Sequence, residues 1–537
     1  MLDARAKTII DIDPAPTVGP GFVARVGSMI CGLQPYVYAQ LLLMVCCSFV
    51  VRESIHLNAG HFVYALDDPY IEMALAKNVV RHGVYGVTQY AATAASSSIV
   101  WPWVLAACYA VVGVNIWTPY VLNIVCCLAL LYLGGRIMVD ASGGRLLRAL
   151  QTASLIVLVV AAPMPTLCQI GMEHSAQCLA MAALLYSGAK CLNKPSDRRL
   201  QVQTAILAAA ATSIRYEGAF AVLAICAGLL LARRFKAAAV TALGGLLPIL
   251  LYGFTALAHG QYFFPNSVLV KTFGKTSQPL ASHISVAFEL DPLLLAVGFA
   301  VIVTTAFTLG RREIFGWVWT FGALYAFIFA LHVASIGVYV FYRYQAYLVV
   351  VGIVALFAFA CRWYSDESRA TIGGKCVTVV TLAVLAAIDP LGQLNLTAEA
   401  SHDIYRQQYL DAMFIRTYYN HGTALLNDIG AAAYYTDAHI VDYVGLASKA
   451  FARLSIQHRD KTRAFIAAVD STKPDIGIVY LTWLPQIDSH WIIAANRTVT
   501  PSIVCADPKL TYIAFTPSGA AKLKPHVKLF FQLDDTH

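Results

Sequence analysis

Ala65-Leu66-Asp67-Asp68-Pro69-Tyr70-Ile71-Glu72 stands just after the first long apolar segment, Tyr36 to Val51. The chain crosses a membrane there and at once presents two adjacent carboxylates. Adjacent acids repel one another, so at least one of the pair is expected to have a shifted pKa or to bind a cation. A carboxylate held at a membrane surface can take a proton from an incoming hydroxyl. The same residues also read as a solvated turn with a helix cap, because Asp before Pro is a common helix start. On the doublet alone both readings stand.

Composition fixes the class. The 537 residues are 58% hydrophobic and 13% charged, with a mean hydropathy of +0.64. That excludes a soluble enzyme and indicates a polytopic membrane protein. Apolar segments stop near Leu391, and from Gly392 to His537 polar residues return as in a soluble domain. The net charge of +8 reads as basic cytoplasmic loops, not as nucleic-acid binding. The thirteen cysteines lie nearly all in apolar segments without zinc-site spacing. The tail has one, Cys505, and so no internal disulfide. The mixed residues 1–35 offer no cleavable signal peptide, so the first span is expected to be an anchor after a cytoplasmic segment.

Spans are expected near 36–51, 119–137, 149–165, 175–189, 201–214, 218–232, 238–258, 286–309, 315–335, 345–361 and 376–391. Basic residues cluster at Arg136/Arg145/Arg148, Lys190/Lys194/Arg198/Arg199, Arg233/Arg234/Lys236, Arg311/Arg312 and Arg362/Arg369/Lys375. With an inside N-terminus and about eleven spans, all these clusters face the cytoplasm and the tail faces out. The short apolar stretch Ile99 to Val114 would reverse that order if it spanned, so it is expected to be interfacial or re-entrant within a large first outer loop, 52–118. In that loop Asp68 to Arg81 carries apolar residues at helical spacing.

This topology gathers polar patches on the outer face: Asp67-Asp68, Glu173-His174, Arg215-Tyr216-Glu217, Asn266-Ser267 with Lys271, and Arg343-Tyr344. Charged groups at span ends are costly to desolvate and tend to be paired or functional. Each has an ordinary reading. Glu173 caps or pairs, Arg215 and Glu217 form a structural ion pair, Arg343 snorkels to head groups, Lys271 is solvated and His174 is structural. Taken together, several acids and cations on one face suit a reaction with an anionic lipid-phosphate leaving group. Arg215, Lys271 and Arg343 would bind the phosphate, and an acid would activate the acceptor.

Leu66-Asp67-Asp68-Pro69-Tyr70-Ile71, Ala76-Lys77-Asn78 and Gly83-Val84-Tyr85-Gly86 resemble the first outer loop of GT-C glycosyltransferases, which use polyprenyl-phosphate sugars. Gly171-Met172-Glu173, Arg215-Tyr216-Glu217-Gly218, Phe264-Pro265-Asn266-Ser267 with Lys271-Thr272, and Tyr342-Arg343-Tyr344 recur in order in one branch. That branch holds the mycobacterial terminal arabinofuranosyltransferases and pilin-modifying arabinosyltransferases. Asn427-Asp428-Ile429-Gly430, Ile440-Val441-Asp442 and Gly445-Leu446 resemble its tail. Many relatives carry Arg-Pro-Glu where this chain has Arg215-Tyr216-Glu217, and their Thr-Ser-Pro-Leu-Trp element is only loosely matched by Ser96-Ser97-Ser98 and Trp101-Pro102-Trp103.

The resemblance implies a GT-C-like membrane domain, 36–391, followed by an extracytoplasmic mixed α/β domain, 392–537. It implies inverting transfer, with D-arabinofuranose first in line, from a polyprenyl-phosphate donor to a glycan or protein hydroxyl at the outer face of a bacterial inner membrane. Asp67 would be the base. Asp68 would orient it, bind acceptor hydroxyls or help hold a divalent ion. Glu173, His174, Glu217, Asn266 and Tyr344 would contact substrate, and the partners would be donor, acceptor and membrane lipid, with no nucleic acid. A protein O-mannosyltransferase or a lipid A aminoarabinose transferase is the rival within enzymes, and a transporter or flippase the rival outside them.

In the tail, 424–430, 476–481 and 510–515 read as strands or strand and loop. Tyr418, Tyr419, Tyr434, Tyr435, Trp483 and Trp491 read as core aromatics before sugar-stacking ones. Asp428 and Asp442 read as turn caps beside glycines.

Overall fold

The computed structural model describes residues 34–146, 148–273, 280–365, 389–456, 462–484 and 487–532. Helices dominate as far as Tyr364, and a five-stranded sheet with flanking helices follows. In the first helix, Pro35–Leu57, the buried residues Ala39, Leu43, Cys47, Val50 and Ser54 recur every three or four positions, while Leu41, Val45 and Phe49 are exposed. One stripe packs on protein and the other is left apolar, as a lipid-facing helix requires. Phe235–Ala258 repeats the pattern, with Leu243, Leu247, Leu251 and Phe254 outward.

Every expected span but the last coincides with a helix. The last, 376–391, lies almost wholly outside the described residues, as do Arg369 and Lys375. Five helices are long and apolar enough to cross a membrane, or seven if each of two bent pairs counts as one span. His174–Asn193, Arg198–Ile214 and Gly218–Leu231 fall outside that set. Two expected spans are broken, 149–165 by a 44° bend between Arg148–Ala161 and Met164–Ile170, and 286–309 more sharply. Within 286–309 the chain turns by 114° between Ala281–Leu290 and Pro292–Phe307. Pro292 cannot continue a helix, and Asp291 starts the next one by accepting the Leu294 N–H at 3.0 Å. The chain is thus a polytopic α-helical membrane protein with a mixed α/β C-terminal domain.

Two helices lie between the first and second spans. Asp68–His82 begins at the acid doublet, and Trp101–Val112 is the short apolar helix expected there. Asp68–His82 is buried along most of its length, Glu72 and Lys77 included. It packs against Trp101–Val112 on one side and the tail helix Gly430–Tyr435 on the other.

The sheet runs β2-β1-β3-β5-β4. Strands β1 (Thr423–Leu426), β2 (His439–Asp442) and β3 (Ile476–Val479) are parallel. Strand β5 (Lys509–Ala514) runs antiparallel to β3, and β4 (Ile492–Thr498) antiparallel to β5. β1, β3 and β5 are the strands expected from sequence. The tail begins differently from the expectation at 392. Pro390–Ile404 packs along the first helix, with Ser401 Oγ 2.6 Å from Ser54 Oγ and Asn58 Nδ2 donating to Ser401 Oγ at 2.9 Å. Thr397 Oγ1 meets Thr166 Oγ1 at 2.8 Å. These polar residues answer polar residues on membrane-domain helices, and this is why composition alone assigned them to a soluble domain.

Candidate active site

The carboxyl ends of the parallel strands face the acid doublet across a cavity of about 480 Å³. Asp67, Asp68, Arg343 and Tyr344 line one side, and Asp428, Tyr443 and Trp483 line the other. The volume falls within the range of about 300–1,000 Å³ usual for small-molecule sites.

Asp67 is bound to the tail. Its Oδ2 accepts the Gly430 N–H at 2.6 Å and its Oδ1 the Ala431 N–H at 2.8 Å. These are the first amides of Gly430–Tyr435, which have no partner within their own helix. Lys77 holds the other end, with Nζ donating to the Ala433 and Tyr434 carbonyls at 2.9 and 2.8 Å. The segment that begins at the acid doublet thus sets a carboxyl group at the positive end and an amine at the negative end of a single tail helix. The approach is close: a Cβ on Gly430 would collide with the Asp67 carbonyl oxygen. Burial, with the Asp428 carboxylate nearby, pushes Asp67 up to about 8 against the pull of the two N–H bonds. Burial pushes Lys77 down to about 8.

Asp68 forms an ion pair with Arg343 Nη2. Arg343 follows two consecutive non-glycine residues with left-handed backbone, Phe341 (φ 53°) and Tyr342 (φ 57°). Strain of this kind persists only where surroundings enforce it, and it concentrates at functional sites. The guanidinium lies 5.1 Å from the Tyr339 ring. Asp68 and neighbouring tyrosines hold it firmly protonated.

The third carboxylate, Asp428, follows β1. Gln408 Nε2 donates to its Oδ2 at 2.8 Å. Burial pushes it up, and the Asp68 charge adds to this. Sequence favoured a turn cap here, because Asn-Asp-Ile-Gly is turn chemistry and nothing local reports a partner between the first and second spans. The cap reading holds for Asp442, whose carboxylate accepts the Val444, Gly445 and Ala447 amides at 3.0, 3.1 and 2.6 Å.

The remaining expected site residues lie apart from this cavity. Arg215 is buried and clamped between two acids, with Nη1 2.7 Å from Glu173 Oε1 and Nη2 2.8 Å from Glu217 Oε1. Ser97 Oγ donates to Glu173 at 3.3 Å, and its neighbour Ser96 donates to the buried Glu72 at 2.7 and 2.9 Å. Burial and the Glu173 charge push Glu72 well up. His174 is buried at the start of its helix, and Asn266 is buried before Val270, which lines the cavity. Tyr344 links the two regions, since its ring lies 5.6 Å from the Arg215 guanidinium and it also lines the cavity. Lys271 lies on Asn266–Phe273 and its side chain is outside the described residues.

A divalent ion at Asp67 and Asp68 finds a poor fit. Both Asp67 oxygens hold amides and Asp68 holds Arg343. Among the described residues no three His, Cys, Asp or Glu side chains are grouped to hold a metal.

Comparison with known proteins reaches the fold. A family model described only as a domain of unknown function, DUF8728, matches residues 401–514. No curated protein matches. Among solved structures, ArnT from Cupriavidus metallidurans in the apo state is 12% identical over 92% of this chain and 99% of its own, with a TM-score of 0.51. The same protein bound to undecaprenyl phosphate is 13% identical over 89% and 98%, with a TM-score of 0.49. The apo likeness, at that low identity and near-full coverage, places the chain in the GT-C type of fold.

Proposed function

We propose that this chain is a membrane glycosyltransferase that moves a sugar, D-arabinofuranose, from a polyprenyl-phosphate donor to an acceptor hydroxyl, with inversion. The observation that carries the reading is the cavity in which Arg343 lies among Asp67, Asp68 and Asp428. The acceptor oxygen bonds to the anomeric carbon as its proton passes to Asp67. The bond from that carbon to the phosphate oxygen breaks, and the electron pair leaves with the phosphate. A carboxylate has about four lone-pair sites, so the two amide bonds to Asp67 leave room for a proton. A pKa near the working pH suits a base. Arg343 spends one nitrogen on Asp68 and keeps further N–H donors for the leaving phosphate. Asp68 holds Arg343 in place. Lys271 is a second phosphate contact in this reading, from the helix that brings Val270 to the cavity. Arg215, held by Glu173 and Glu217, supports Tyr344 from behind, and Asn266 starts the helix that brings Val270 to the cavity. No step passes through a metal ion.

The site then faces the exterior of a bacterial inner membrane, where lipid-linked donors need no nucleotide. Reporter fusions at Ser196 and Gln407 report opposite sides on this topology, and the same side for both would sink it. The chemical test is transfer by the purified chain in lipid nanodiscs, supplied with polyprenyl-phosphate arabinofuranose, mannose or aminoarabinose in parallel. Arabinofuranose transfer is expected. Transfer of another of these sugars alone corrects the donor, and no transfer from any of them overturns the reading.

A further inference from the structure

The cavity has two walls of different origin. The membrane-domain wall holds the charges that suit a lipid phosphate. The tail wall is of another kind. Asp428, Tyr443 and Trp483 come just after the carboxyl ends of β1, β2 and β3, the three parallel strands. In open α/β sheets that edge is where ligands bind, because the loops there diverge and leave a crevice. The loop after β2 is fixed by Asp442, which gathers three of its amides. This presents Tyr443, Val444 and Leu446 to the cavity in one conformation.

We propose that this tail wall is a carbohydrate subsite, in which Trp483, Tyr443 and Asp428 receive the sugar residue that bears the acceptor hydroxyl. Trp483 is 44% exposed, a large aromatic left open at the cavity. A pyranose or furanose ring offers C–H faces to such a surface. Tyr443 is only 5% exposed, yet its hydroxyl is buried without a hydrogen-bond partner among the described residues. Buried hydroxyls are nearly always satisfied, so an unmet one on a cavity wall points to a ligand group. Asp428 supplies an acceptor for sugar hydroxyls and keeps its orientation through Gln408. Stacking surface, hydroxyl and carboxylate together match a polyhydroxylated ring better than the single hydroxyl of a Ser or Thr side chain. The word acceptor rests on the transferase reading above; the binding does not.

The test is therefore binding without donor. The full chain in nanodiscs is titrated with octyl α-D-arabinofuranoside, octyl α-D-mannopyranoside and a Ser/Thr peptide of the same length, followed by saturation-transfer NMR. Binding of at least one glycoside is expected. Trp483→Ala weakens it about tenfold or more and Tyr443→Phe about fivefold, while Tyr443→Phe keeps the wild-type melting temperature. Asp428→Asn weakens it similarly. No glycoside binding, binding of the peptide alone, or glycoside affinity within about twofold of wild type in all three wall variants overturns the proposal. Glycoside binding that follows this pattern in a chain transferring no sugar would keep the subsite and remove the transferase reading.

Discussion

Two clusters of arginine and acid lie on either side of Tyr344, and they differ in how the charges are matched. Around Arg215 two carboxylates, Glu173 and Glu217, occupy the guanidinium from both sides, with all three residues buried. Around Arg343 a single acid among the described residues, Asp68, forms an ion pair, and the group opens on a cavity that holds two further carboxylates. Both arginines occur beside span ends and look alike in sequence. Position at a span end therefore does not separate an enclosed cation from one that opens on a cavity; the number and placement of its partners does. A closed pair or triad in a desolvated setting is held by its own charges, whereas a charge with spare donors at a cavity can answer a substrate.

The comparison can be broken at several points. Asp67→Asn is the most severe at the open cluster: turnover falls about 10²–10⁴-fold with donor binding retained, measured by single-turnover transfer beside a donor-binding assay. Near wild-type turnover would take Asp67 out of the chemistry and leave it a docking group. At the closed cluster Arg215→Ala strands two buried acids and costs about 3–5 kcal/mol, so little folded protein is recovered from membranes. Arg343→Ala folds and loses about 1.5–3 kcal/mol in donor affinity or turnover. If the two alanine variants exchanged these phenotypes, the division between clusters would be reversed.

Lys77→Met is milder. It removes the cap on Ala433 and Tyr434 and loosens the tail by about 1–3 kcal/mol, seen as earlier proteolysis between the membrane and tail domains, with Lys77→Arg restoring protection. The smallest effect is that of pH. Asp67, pushed up to about 8, must lose its proton to act as a base, so turnover climbs as pH rises from 7 through 8. A flat profile over that interval argues for a different base.

Much of the membrane domain was legible because lipid demands long apolar helices, and Pro35–Leu57 and Thr118–Ala141 carry that demand in long apolar runs. The break at Asp291-Pro292 was legible in its residues but was overruled by the apolar run around it. Strand β4 was missed because Asn496-Arg497-Thr498 reads as polar; in the fold Arg497 is buried by an ion pair with Asp411 at 2.8 Å. The site was legible in half. Asp67, Asp68, Arg343 and Tyr344 stood out by their places at span ends, and the structure brings them to one cavity. Asp428 and Lys77 did not stand out, because their meaning depends on a contact between segments 363 residues apart in the chain, Asp67 to Gly430. No periodicity or local turn chemistry reports such a pairing.

That same contact sets an order on the making of the protein. The acid doublet is synthesised early, and the amides that hold Asp67 come hundreds of residues later, together with Asp428. A chain halted before Gly430 carries the helices, the doublet and Arg343, but its cavity lacks a wall and its first carboxylate lacks the two N–H groups that fix its direction. The two walls of the cavity thus come from distant parts of the polypeptide, and only a chain extended past Gly430 has both of them.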